Sequence, residues 1–297
     1  TVEVKPAADA SLPAPARDGA LTRLAVDLDV RALHLGQLVL VLPERAPLAF
    51  DDVALEGRWT GDRVQLGRLE TVTPWVGRLR IAGQAQLKPE GIDLAQLRSS
   101  GFADIELEGH LGYRTPSDLR ARWHALRWPV ADTPRLASSG GRLRWMGHFD
   151  DWRFALDGAL AVEGESLAVR VHGRGTLTDA VAEQLSIDTG HGHFDGHATI
   201  DWRAPVTLRL GGRLRGIQPQ HWLDQLDGEL NGMVEASARF EEAAPVVAFA
   251  LRLDESRLRQ YPLRLDARGR YVAQSLQLER FALRSGPSRI DAAGTAW

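Results

Sequence analysis

One hydrophobic rhythm recurs along the chain: an apolar residue at every second position, with a glycine on the same parity. VALEGRW places Val53, Leu55, Gly57 and Trp59 on one side, and LRIAGQAQL does the same with Leu79, Ile81, Gly83, Ala85 and Leu87. IELEGHLGY aligns Ile105, Leu107, Gly109, Leu111 and Tyr113, and LRWMGHF aligns Leu143, Trp145, Gly147 and Phe149. FALDGALAV aligns Phe154, Leu156, Gly158, Leu160 and Val162; VRVHGRGTL aligns Val169, Val171, Gly173, Gly175 and Leu177. LRLGGRL aligns Leu208, Leu210, Gly212 and Leu214, and looser copies begin at Leu263 with Leu265 and at Ile290. The positions between are Arg, Glu, Asp, Gln, His and Thr. A period of two predicts strands with one apolar and one wet face. Strands without intervening helices predict antiparallel hairpins, and WTGDR, KPEG and DTGHG supply the turns. About 18 such strands would extend on the order of 85 Å.

Two stretches read as short helices. IQPQHWLDQLDG has Pro219 to open it and Gly228 to close it, and DLAQLRSSG is the second. Residues 1–20, rich in Pro and Ala and without periodicity, read as a linker-like leading segment, and residues 21–297 as one continuous repeating unit. The fold class expected is therefore all-β: a long curled antiparallel sheet, a repeating β-groove, with an open apolar interior and one or two short helices. Glycine is what points to openness. On the apolar face of a tightly packed sandwich, larger side chains would fill space better. Glycine there lets a sheet curl and leaves room, although a bulge in an ordinary sandwich also uses it.

DTGHGHFDGHATIDW carries His191, His193, Asp195 and His197 at alternate positions, the ligand types of a metal site. Within the repeat, however, this is a hairpin. Leu185 and Ile187, then Phe194, Ala198, Ile200 and Trp202, take the inward parity, and His193, Asp195, His197, Thr199 and Asp201 the outward one. His110, His148 and His172 also fall outward. Neighbours on one face lie about 7 Å apart and two of them would suffice to share a zinc ion, but a row of water-facing histidines is the reading preferred.

A charged fraction of 25% and a net charge of −3 give a normal folding composition with no basic run for nucleic acid. The absence of cysteine excludes a disulfide scaffold and thiol chemistry. No nucleophile elbow, phosphate loop, dinucleotide fingerprint or H-E-x-x-H is present, and the adjacent pairs Asp51–Asp52, Asp150–Asp151 and Glu241–Glu242 sit in turns rather than facing each other across a cleft. The chain is not read as an enzyme, and neither cofactor nor metal is expected. Of the nine tryptophans, Trp59, Trp145, Trp202 and Trp297 share the inward parity, while Trp123, Trp128 and Trp152 cluster nearby. They read as large apolar filler whose N–H reaches the backbone, with a surface for acyl chains or sugars as the alternative. No apolar run is long enough to span a bilayer, and the chain begins at Thr1 without a signal, so it reads as a piece of a longer protein.

The stretches FDDVALEGRWTGDRVQLGRLETVTPWVGRLRIAGQAQL, LRWPVADTPRLASSGGRLRWMGHFDDWRFALDGAL and LQLERFALRSGPSRIDAAGTAW resemble the repeating unit of TamB-type proteins, within the wider AsmA-like group of bridge-like lipid transfer proteins. The resemblance runs over residues 21–297 and rests on a short LxLxxL strand, a turn, a GxLxLxG strand and a "W-P" or "T-P" break. It implies a periplasmic segment of a protein anchored in the inner membrane by an N-terminal helix outside this sequence. It implies a groove that carries phospholipid or acyl chains between the two membranes, outer-membrane biogenesis and protein secretion as the setting, and a TamA-type outer-membrane barrel as partner. The candidate lining residues are those of the inward parity: Val53, Leu55, Trp59, Leu79, Ile81, Ile105, Leu107, Leu143, Trp145, Phe154, Leu156, Leu160, Val169, Val171, Phe194, Ile200, Trp202, Leu208, Leu210, Leu214, Leu263, Leu265 and Ile290. The alternative is a chaperone or scaffold that holds strands of outer-membrane proteins by strand addition. A β-solenoid with a packed core is disfavoured by repeat spacings that range from about 11 to about 38 residues, against the regular period of solenoids.

Overall fold

In a computed structural model, residues 2–6, 26–40, 48–73, 77–128, 136–162, 164–221, 226–240, 245–273 and 275–296 are described. Nearly all of them are strand. The chain divides into two units, one of residues 1–148 and 158–164, the other of residues 149–157 and 165–297. In the first unit, β1 (Val2–Pro6), β2 (Val26–Leu40), β3 (Leu48–Thr60), β4 (Arg63–Thr73), β5 (Gly77–Lys88), β6 (Gly91–Ser100), β7 (Asp104–Gly112), β8 (Ser117–Trp128) and β9 (Leu136–His148) pair antiparallel in chain order. β10 (Asp151–Val162) gives its first half to the second unit and its second half to the first. In the second unit, β11 (Glu165–Gly175), β12 (Asp179–Asp188), β13 (His193–Asp201), β14 (Val206–Ile217), β15 (Gly228–Phe240), β16 (Pro245–Leu258), β17 (Tyr261–Val272), β18 (Ser275–Ser285) and β19 (Ser288–Ala296) do the same. Among the described residues no pairing joins β1 to β9 or β11 to β19, so neither unit closes into a barrel.

This is the open antiparallel sheet that the alternation predicts. Val2–Pro6 of the leading segment is a strand paired with β2, and residues 7–25 lie outside the described ones. The helix expected at DLAQLRSSG does not form; those residues are β6. The reason is a bulge. The register between β6 and β7 shifts between Leu94 and Leu97, and Gln96 takes a left-handed φ of 52°. One extra residue in the strand puts two apolar side chains three positions apart on the same face, and that spacing imitates a helix. Such shifts recur in most pairs, for example between Leu214 and Ile217, where Gly216 supplies a φ of 59°. At IQPQHWLDQLDG, Pro219–His221 is a single 3₁₀ turn, residues 222–225 lie outside the described ones, and Gly228 opens β15 instead of closing a helix.

The polar face of the first unit is laced by charge pairs. Glu70 on β4 is the best buried, its side chain only 7% exposed. Its carboxylate accepts from the Arg68 guanidinium, from Arg78 Nη1 at 2.9 Å and from Arg80 Nη2 at 3.2 Å. Arg80 lies directly opposite Glu70 across the β4–β5 ladder, so register creates the site. The hydrogen bonds from Arg68, ahead of those from Arg80, hold this carboxyl down from an ordinary 4.5 to about 2. A depressed carboxyl pKa stabilises the fold above its unfolded value, and the contribution fades as pH falls toward the folded one. Glu70→Gln is therefore expected to lower the urea midpoint at neutral pH. It should also flatten the loss of stability between pH 4.5 and about 2, as read by denaturation at a series of pH values.

Candidate functional site

The register carries the alternation of single strands across whole units. Four cross-strand rows traverse β11 to β19, and every residue in them is apolar or glycine. One runs Val169, Ile187, Phe194, Leu214, Gly232, Leu253, Leu265, Leu283, Ile290; the next runs from Val171 through Gly212 and Leu251 to Ala292. The third holds Gly173, Leu210 and Phe249, and the fourth Gly175, Ile200, Leu208 and Val247. Leu263 continues the face beyond a register shift, opposite Ser256 and Ser285. In the first unit, Leu97, Leu107, Ala121 and Leu143 form one row, and Ile105, Trp123 and Gly141 form another. Leu55, Leu69 and Ile81 are in line, as are Trp59, Val64 and Ala85. Val53 faces Leu35, Leu79 faces Thr71, and Trp145 faces Leu119. Phe154, Leu156 and Leu160 on β10 are half-buried. Trp202 lies just past β13, outside the rows, and its Nε1–H donates to the Leu177 carbonyl at 2.6 Å.

This face is apolar without being sealed. Among the described residues few large apolar side chains are buried, among them Val53, Val169, Phe194, Leu253 and Leu263. Leu208, on β14 in the interior of the nine-stranded sheet, remains 38% exposed and Ile200 36%. A side chain at such a position in a sandwich core would be close to fully buried.

The recurrent glycines do not leave the space that the sequence suggests. A Cβ on Gly173 would stand 2.1 Å from the Val181 carbonyl oxygen, and one on Gly232 2.1 Å from that of Arg252. These positions are glycine because the neighbouring strand's backbone occupies the volume. Elsewhere an aromatic ring occupies it. Trp123 lies over Gly141 and Gly158, Trp152 over Gly175, and Phe194 over Gly196 and Gly212. Each indole is pinned at its polar end: Trp123 Nε1–H donates to Ser138 Oγ at 2.8 Å, and Ser138 donates to the Ala159 carbonyl at 2.6 Å. Trp152 donates to the Thr176 carbonyl at 3.1 Å and Trp59 to that of Gly61 at 2.9 Å. This is the filler role with a satisfied N–H. The Trp128 side chain and Trp297 lie outside the described residues.

The histidines take the outward parity expected of them. His193 faces Arg215 and His197 faces Gly211. His193 Nε2 is 2.9 Å from Asp195 Oδ1, and Arg215 Nη1 is 3.2 Å from Asp195 Oδ2. The His191 ring stacks on that of His221 with centroids 3.3 Å apart. Among the described residues no group of three or more His, Asp or Glu is arranged to hold a metal ion. No helix among them is long and apolar enough to cross a membrane.

Sequence reasoning missed Leu97, Leu119, Leu253, Phe249, Leu278 and Phe281 on the same face. The run Val247, Phe249, Leu251, Leu253 alternates cleanly and was a sufficient signal. Leu97, Leu278 and Phe281 adjoin register shifts, where parity alone misleads.

A sequence model of the N-terminal domain of TamB matches residues 93–297, more than half of the chain. Neither a curated protein nor a solved structure matches it.

The close approaches make a direct test. Gly173→Ala is expected to cost about 1–3 kcal/mol, the usual penalty of overpacking, because the obstructing atom is backbone. Gly36→Ala, with nothing within 4 Å of the added carbon, should be close to neutral. Denaturant midpoints of the two variants against the parent chain check this.

Proposed function

The chain belongs to the TamB family, and from that premise we propose that its apolar face carries phospholipid acyl chains between the inner and outer membranes across the periplasm. The observation that carries the reading is the set of four uninterrupted apolar rows with residues such as Leu208 still more than a third exposed. A fatty tail laid along these rows loses contact with water at about 0.8 kcal/mol per methylene. Because each row repeats the chemistry of the last, the tail gains little by stopping at any one of them. That is what transfer needs, and it requires no bond-making step. The polar head stays in water at the open side of the sheet. An inner-membrane anchor and a TamA-type outer-membrane barrel complete the proposed pathway.

Leu210→Asp places a charge in the middle of a row, and Leu156→Arg does so on β10. Both are expected to keep the far-ultraviolet dichroism of the parent while phospholipid recovered by solvent extraction and mass spectrometry falls several-fold. Unchanged lipid content in a folded variant overturns the proposal. A photo-crosslinker at position 208 separates the cargoes: lipid adducts support it, and adducts confined to outer-membrane polypeptides support the strand-holding chaperone in its place.

A further inference from the structure

On the polar faces of both units arginines stand opposite carboxylates, as Arg213 does to Asp195 and Arg252 to Asp266 in the second. In the first, Glu106 lies between Arg98 and Arg122, and Glu108 faces Arg120, which faces Arg144. Arg98 Nε is 3.3 Å from Glu106 Oε1, and Arg144 Nη2 is 2.8 Å from Asp118 Oδ2. Opposite charges at facing positions are the ordinary way a wet sheet face is stabilised. In the second unit one row departs from this. It runs Thr199, Arg209, Ser237, Ala248, Arg270, Gln277, and contains two arginines and no carboxylate.

The geometry of that row forms a basin. Ser237 and Ala248, the smallest side chains of the row, make its floor, and Arg209 and Arg270 rise on either side. Their backbones are three strand spacings, about 14 Å, apart. Arg239 faces Thr207 and so stands diagonal to Arg209. The result is an open depression of about 670 Å³ whose charged lining is Arg203, Arg209, Arg239, Arg270 and Asp201. Asp201 is engaged by Arg203, with Nε 3.0 Å from Oδ1. Glu279 Oε1 takes one contact from Arg270 Nε at 3.1 Å, and a guanidinium has five N–H donors. Glu235 stands one row away, between Gly211 and Ala250. Arg203 and Arg270 thus each share a carboxylate, and Arg209 adds its positive charge beside them over a floor without bulk.

We propose that the depression between Arg209 and Arg270 on the polar face of β14 to β17 binds a phosphate ester. Guanidinium forks match the paired oxygens of phosphate and make charge-assisted hydrogen bonds to them. Several arginines converging from different strands suit an anion with several oxygens, and the volume exceeds what an inorganic phosphate needs, leaving space for its substituent. The ester is either a phospholipid headgroup presented by a membrane or a soluble phosphate. Its arginines take the parity opposite to the apolar rows, so replacing them leaves those rows in place, while Leu208 and Ala238 of the fourth row border the depression.

The test uses the whole chain with two probes, glycerol 3-phosphate followed by calorimetry and vesicles of phosphatidylglycerol followed by flotation, with phosphatidylcholine vesicles as reference. Arg209→Gln combined with Arg270→Gln is expected to weaken binding by about tenfold or more, the loss that follows from removing charge-assisted hydrogen bonds. Ser237→Glu, which sets a carboxylate on the floor, should do the same without removing either arginine. Arg98→Gln combined with Arg122→Gln, on the paired face of the first unit, should leave binding unchanged. Binding of glycerol 3-phosphate alone identifies a soluble ester. Preferential binding of phosphatidylglycerol vesicles, displaced by glycerol 3-phosphate, identifies a headgroup. If the parent chain binds neither probe, or if both basin variants bind as it does, the proposal is overturned.

Discussion

Everything in this structure depends on register. Side chains of a strand alternate with a period of two, so a slip of one residue between neighbours would turn an apolar row to water and a charged row to the other face. Over β11 to β19 the rows stay apolar through nine strands. No closed core enforces this, since few side chains are fully buried. The restraint is distributed: short hairpins fix each strand to the next, and each mismatch in length is absorbed by a bulge, as at Gln96 and Gly216, before it propagates.

The second constraint is close approach. Strands carrying β-bulges bend and twist more strongly, and glycine lets the carbonyl of one strand enter the space that a side chain of the next would need. Gly173 against Val181 and Gly232 against Arg252 show this. At Gly141, Gly175 and Gly212 an aromatic ring from a nearby strand lies across the backbone instead. The apolar face is thus smoothed by rings and backbone, with leucine, isoleucine and valine between them. A surface of that kind offers dispersion contact along its length.

The two faces divide the chemistry. The apolar side repeats itself with little to distinguish one row from the next. The polar side is individual: a carboxylate caught by three arginines at Glu70, a histidine–aspartate–arginine chain at His193, Asp195 and Arg215, and a basin between Arg209 and Arg270 with a floor of small side chains.

Read as a string, the chain already determined its class and the faces of most of its strands. Val53, Leu107, Phe194 and Leu210 announce their side through alternation alone, because the period of a strand is a local property of the backbone. The outward row of His193, Asp195 and His197 followed from the same parity. Tertiary structure decided what parity cannot carry across a bulge or between strands. Leu94 and Leu97, three apart, mimic a helix until Gln96 is seen to bulge. The glycines promise space until the neighbouring carbonyl is seen to fill it. The basin exists only because Ser237 and Ala248 pair between Arg209 and Arg270, residues far apart in sequence that hairpin registers bring into one line. Alternation is written in consecutive residues, whereas register is summed over every turn and bulge between them.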